Sequence, residues 1–171
     1  MLSTTRFNNL TWKENCTYRE KHKLKGPIYC APMKMSETII IDSLIFVVEM
    51  NNEKNQIEGI GLIKNRHIPI EERIKYFVYE ECNFNRYIYK GDYRLDRNIL
   101  QNYNVKLVEI LDYICFKGKT HLKRGNGFMR IPDKLLKNHD IIILDIIKDI
   151  FLKHFSSEKK ENKDNKDNKD N

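Results

Sequence analysis

The sequence predicts an α+β domain with a mainly antiparallel, partly open, barrel-like sheet and flanking helices. Three observations carry this. A capping pattern near the N terminus starts a first helix, and β-branched residues crowd 39–50 and return at 56–65 across an asparagine-rich turn. The hydrophobic period then changes to that of a helix at 104–116. The chain has 171 residues, 40% of them hydrophobic, which is enough for one core without disulfide or metal staples. Residues 1–156 are read as that single domain. Residues 157–171 repeat Lys-Asp-Asn without one apolar side chain and are expected to be disordered.

Each element has a local reason. "TWKE" at 11–14 places Thr11 at a cap position with Glu14 three residues on, so a basic helix is expected as the first element, running to about Leu24 before Gly26-Pro27 stops it. "IIIDSLIFVVEM" at 39–50 reads as a buried strand, Asn51, Asn52 and Asn55 as a turn, and "QIEGIGLIKN" at 56–65 as the returning partner. Further strands are expected at 75–80 and 86–90, joined by a polar turn around Asn83 and Asn85. In 104–116, Val108, Leu111, Ile114 and Cys115 share one helical face and Glu109 and Asp112 the other. A loop follows, then a short strand at 128–131, a helix opened by Pro132-Asp133, and a last helix over "DIIILDIIKDIFLKHF" at 140–155.

Composition excludes several classes. Cys16, Cys30, Cys82 and Cys115 have no paired spacing and follow no apolar leader, so an intracellular, reducing compartment is expected. No run is long and apolar enough to span a bilayer, and neither the cysteines nor the histidines fall at zinc spacing, so no cofactor or metal is expected. The net charge of +7 is unevenly placed. Residues 1–34 carry seven Lys/Arg against two Glu, and residues 117–130 carry five Lys/Arg and no acid. Converging, these blocks would make a positive face for phosphates; separate, they are two solvated surfaces.

The loop "KGKTHLKRGNGF" at 117–128 concentrates this question. Its "GKT" is not a triphosphate-binding loop, because the first glycine of that motif would fall on Tyr113, inside a helix. Glycine-freed backbone amides flanked by Lys117, Lys119, Lys123 and Arg124 suit phosphate contacts, or else form a solvated turn. From the first helix, Arg19, Lys21, Lys23 and Lys25 would add to them. A second suggestive stretch, 75–97, interleaves seven aromatics with five Lys/Arg. Tyr87 and Tyr89 share a strand face and, with Trp12, are candidates to stack an unpaired base; the other reading makes them core, with Trp12 fastening its helix to the sheet.

The run "DSLIFVVEMNNEKNQIEGIGLIKN", preceded by "GPIYCAP" and followed by aromatic strands and a closing helix, resembles the PUA-like superfamily of YTH, EVE and ASCH domains over residues 12–131. That resemblance implies a small, partly open β-barrel with flanking helices that binds RNA or modified DNA bases in an aromatic-lined pocket. The stretches "NNLTWKENCTYREKH" and "FKGKTHLKRGNGF" are also similar to proteins of mimivirus-type large DNA viruses, which implies a viral protein in an infected cell.

The sequence reading is therefore a non-catalytic nucleic-acid-binding domain, its partner RNA or DNA, with no catalytic residues. Two alternatives stand beside it. One is a metal-dependent nuclease using Asp92 and Asp96; the other is a protein-interaction module whose basic surface docks an acidic partner.

Overall fold

The computed structural model describes residues 1–137 and 142–167, the last helix beyond Ser157 by its backbone alone. Its first element corrects the sequence expectation. A strand, β1 (Leu2–Phe7), precedes the helix α1 (Asn9–Lys21). Asn8, not Thr11, is the cap: its side chain accepts from the Thr11 N–H at 2.7 Å while the Thr11 hydroxyl accepts from the Asn8 N–H at 3.1 Å. The strand was hidden because its centre is polar. Ser3, Thr4 and Thr5 are buried, and the two hydroxyls of Ser3 and Thr4 donate to the Met129 carbonyl.

Next come β2 (Ile28–Ala31), β3 (Leu44–Asn51) and β4 (Gln56–Lys64), then a short helix α2 (Ile70–Arg73) and a 3₁₀ turn at Cys82–Asn85. They are followed by β5 (Tyr87–Lys90), β6 (Tyr93–Asp96), α3 (Arg97–Tyr103), α4 (Val105–Phe116), β7 (Met129–Arg130), α5 (Asp133–Lys137) and α6 (Ile143–Asp167). Among the described residues, five strands form one sheet in the order β6-β4-β3-β1-β7, and β2 pairs with β5 in a second. Only β1 with β3 is parallel; the other pairings are antiparallel. The fold is thus α+β with a mostly antiparallel, mixed sheet, and no closed barrel forms among the described residues. No helix among the described residues is long and apolar enough to cross a membrane.

The expected β3–β4 hairpin is present, but β3 begins at Leu44 rather than 39. Residues before it turn instead: Asp42 has a positive φ of 64°, its amide donates to the Asn65 carbonyl, and its carboxylate pairs with Arg66. Ile40 and Ile41 are consequently exposed. Residues 75–80, expected as a strand, are irregular. The amides of Val78 and Tyr79 both donate to the Asn85 side-chain oxygen at 3.1 Å, and the Asn85 amide donates to the Tyr79 carbonyl at 2.6 Å, so one side chain satisfies what a neighbouring strand would have. β5 pairs with β2 instead.

The sheet is buried on both faces, which is why β3 reads as an almost unbroken apolar run. Phe46, Val48 and Met50 pack with Leu107, Val108, Leu111 and Cys115 of α4 and with Ile147 and Phe151 of α6. Ile45 and Val47, at the opposite parity, pack with Ile28, Tyr29, Tyr79, Ile88 and Tyr89 beneath α1. Asp112, expected on the solvent face of α4, faces the sheet. It accepts from the Ile57 N–H at 2.8 Å and pairs with Arg97 at 2.7 Å, capping a β4 amide beyond the end of the β4–β6 ladder. The last helix runs from Ile143, and its backbone continues into the stretch expected to be disordered; 138–141 and 168–171 lie outside the described residues.

One polar cluster interrupts the α1 side of the core. Glu49 of β3 is 1% exposed, and its carboxylate accepts from the Tyr29 hydroxyl at 2.7 Å and, in bidentate fashion, from Arg94 of β6 at 2.8 and 2.7 Å. Arg94 also binds Asp96 at 2.5 Å, and its guanidinium lies 5.5 Å from the centre of the Trp12 ring. Burial works against the charged guanidinium, but the Glu49 carboxylate, with Asp96, more than offsets this and holds its pKa above the ordinary arginine value. Burial and the Glu49 charge hold the Tyr29 phenol well above its ordinary range, so it remains a donor.

Candidate functional site

The C-terminal end of β1, the first turn of α1, β2, the 3₁₀ turn and the glycine loop enclose a cleft of about 410 Å³. Arg6, Asn8, Thr11, Asn52, Phe84 and the Gly125–Gly127 backbone are among its walls. Its size suits one small planar ligand or one nucleotide unit. Phe84 is the exposed aromatic of its wall, edge-on at 6.1 Å to Tyr79, whose own hydroxyl accepts from the buried Asn15 amide at 3.1 Å. Burial drives the Cys30 thiol on another wall far above its ordinary pKa, which keeps it in the thiol form.

The glycine loop is shaped from beneath by Arg6. Its guanidinium donates to the Leu122 carbonyl from Nε at 3.0 Å and Nη2 at 2.6 Å, and to the Gly127 carbonyl from Nη1 at 3.3 Å. Gly125 and Gly127 take positive φ of 137° and 62°, so the chain can wrap one cation with its carbonyls and turn other groups outward. Arg6→Met, which keeps the buried stem and removes those donors, is expected to leave the fold intact and to speed tryptic cleavage after Lys119, Lys123 or Arg124 several-fold. An unchanged cleavage rate would show that the loop is held by other contacts.

The predicted cations divide by role. Lys117, Lys119 and Arg124 are exposed, and none has a carboxylate partner among the described residues. Lys123 is half-buried: its Nζ donates to Asn55 at 2.7 Å and its carbonyl accepts from Asn52. Arg19 turns inward to Asn15 and Cys16 and lies 5.8 Å from the Trp12 ring centre. Lys21, Lys23 and Lys25 are exposed at the far end of α1. The loop meets the N-terminal cap of that helix, so Lys21, Lys23 and Lys25 stand at its other end, about 20 Å away at 1.5 Å per residue, which for these cations is the separated arrangement and not the converging one.

The predicted stacking residues take the other of their two readings. Trp12 packs edge-on against Phe7 at 5.1 Å and fastens α1 to the sheet. Tyr89 is 1% exposed, and its hydroxyl accepts from the Met35 N–H at 2.9 Å. Tyr87 is half-buried with the Arg73 guanidinium 5.0 Å from its ring centre. Asp96 is paired with Arg94 while Asp92 is exposed in the β5–β6 turn, and no three His, Cys, Asp or Glu side chains cluster as metal ligands among the described residues.

Three wall residues escaped the sequence reading. Arg6 lies in a strand that was not expected, and Phe84 was only one of seven aromatics in its stretch. Asn52 looked like an ordinary turn residue. Its Oδ1 is the one buried side-chain acceptor among the described residues without a partner, while its amide donates to the Lys123 carbonyl at 3.3 Å. No family model, curated protein or solved structure matches the chain.

Proposed function

We propose that the chain is a non-catalytic nucleic-acid-binding domain that takes a base into the cleft beside Phe84 while the loop cations Lys117, Lys119 and Arg124 hold the adjoining phosphates. The observation that carries this is that the Gly125–Gly127 end of a basic loop without carboxylate partners among the described residues partly encloses a cleft of nucleotide size. The unpartnered Asn52 oxygen adds to it: a buried acceptor without a donor costs free energy, and an amino or imino N–H of a base entering at that wall would satisfy it. The resemblance to PUA-like domains, which implies a partly open β-barrel that binds RNA or modified DNA bases in an aromatic-lined pocket, points to the same reading. The aromatic differs from those chosen on strand parity.

Fluorescence anisotropy with short labelled RNA and DNA across a salt series tests this, with Lys119→Glu/Arg124→Glu alongside because both side chains are exposed and free of structural bonds. Affinity should fall steeply with salt, and the variant should bind about ten-fold or more weakly, with a reduced salt slope. Phe84→Ala should cost about 1–3 kcal/mol of binding if the ring stacks a base. Absence of binding at low salt would overturn the proposal.

A further inference from the structure

We propose that the partner is single-stranded and that it leaves the cleft along the outer flank of α1, a path that rests on the reading of the cleft as a nucleic-acid site. A second groove, of about 590 Å³, lies along that flank and shares Tyr79 with the cleft, so the two adjoin. One wall is α1, where Lys13, Thr17 and Lys21 recur at four-residue spacing and form a single stripe. The other wall is the irregular segment that was expected to be a strand, bringing Lys75 and Phe77.

The groove has the two properties that hold an unpaired strand. Lys13, Lys21 and Lys75 are exposed and have no carboxylate partner among the described residues. Two acids, Glu14 of α1 and Glu80 of the facing segment, also line the groove, and the Glu14 carboxylate accepts from the Glu80 N–H at 3.2 Å, so the lysines outnumber the acids by three to two. Phe77 is 60% exposed in the groove, an apolar ring in water that a base face would cover. Paired bases hide those faces, so a duplex gains only the phosphate contacts. The groove also explains the separated cations. A strand running from the loop to Lys21–Lys25 spans the about 20 Å of α1.

The test compares a nine-nucleotide single strand, its duplex and a trinucleotide, as RNA and as DNA, on the wild-type chain and on Lys13→Glu/Lys21→Glu. Lys106→Glu/Lys134→Glu, on exposed positions of α4 and α5, makes the same change in net charge elsewhere. The groove variant is expected to lose about ten-fold or more on the nine-mer with a smaller salt slope, and less than about three-fold on the trinucleotide, with the duplex the weaker ligand throughout. The remote variant should stay near wild type. Equal losses in both double variants, or a duplex bound as tightly as its single strand, would overturn the path. A nine-mer bound normally by the groove variant but lost in Lys119→Glu/Arg124→Glu would overturn the path and leave the cleft reading standing. Binding of no oligonucleotide by the wild type would remove both.

Discussion

Arg94→Ala is expected to destabilise the fold by about 3–5 kcal/mol, read as a lower midpoint in urea denaturation. The guanidinium satisfies both oxygens of a carboxylate that is 1% exposed, and its removal leaves the Glu49 charge with the Tyr29 hydroxyl as its remaining side-chain donor. Most of the loss is therefore the desolvation of a charge left without its partner, and not the worth of the ion pair. This has a checkable corollary. Tyr29→Phe/Glu49→Leu/Arg94→Leu removes all the polar groups at once and should be less destabilising than Arg94→Ala alone. A loss within about 0.5 kcal/mol for Arg94→Ala would mean that Glu49 is not held charged in the core.

Gly61→Ala is expected to cost about 1–3 kcal/mol or more, because the added carbon has nowhere to go. Built on the backbone, it would lie 2.2 Å from the Tyr29 hydroxyl oxygen and 2.7 Å from Pro27 Cβ. Tyr29 cannot yield without giving up Glu49, so the clash propagates into the buried network. Tyr29→Phe in the same chain removes the nearest obstacle, and the two changes should cost less together than the sum of each alone, although Pro27 remains in the way. Strict additivity in a double-mutant cycle would show that β2 can move away from the sheet. Gly59 has a similar position on the same face, within 2.9 Å of Arg94 Nη2 and Glu49 Oε2 were it to carry a Cβ.

These two glycines show how much of the fold can be read from the chain. Within the strand at 56–65 they interrupt an apolar pattern, and glycine in a strand marks close approach of another group. The pattern does not say which group approaches. Glu49 is similar: an acid inside an apolar strand signals a buried partner, but its guanidinium lies 45 residues away on a strand, β6, that was not among those expected. The hairpin of β3 with β4 and the helix α4 were legible because each repeats a strong hydrophobic period over many residues. β1 and the segment at 75–80 were misread for opposite reasons. The first is a polar strand whose hydroxyls find partners across the sheet, and the second is an apolar, strand-like run whose amides are satisfied by Asn85.

The site divides along the same line. The basic loop at 117–128 could be picked out because charge and glycine content are properties of a contiguous stretch. The cleft beside it could not, because Arg6, Asn52, Phe84 and Gly127 lie far apart in the chain and meet only when β1 enters the sheet between β3 and β7. Trp12 and Tyr89 were attractive as stacking residues for the same reason that they are core: an aromatic on a half-polar element suits either place, and burial decides between them. By itself, then, the sequence determined the α+β class, the β3–β4 hairpin, the amphipathic α4 and the location of the loop cations, all of which follow from local periodicity and composition. The tertiary structure decided which aromatic faces the cleft, that Arg6 shapes the loop, and that Lys21, Lys23 and Lys25 stand at the far end of α1 from it. Those depend on long-range strand pairing, in which a shift of one residue exchanges core for surface.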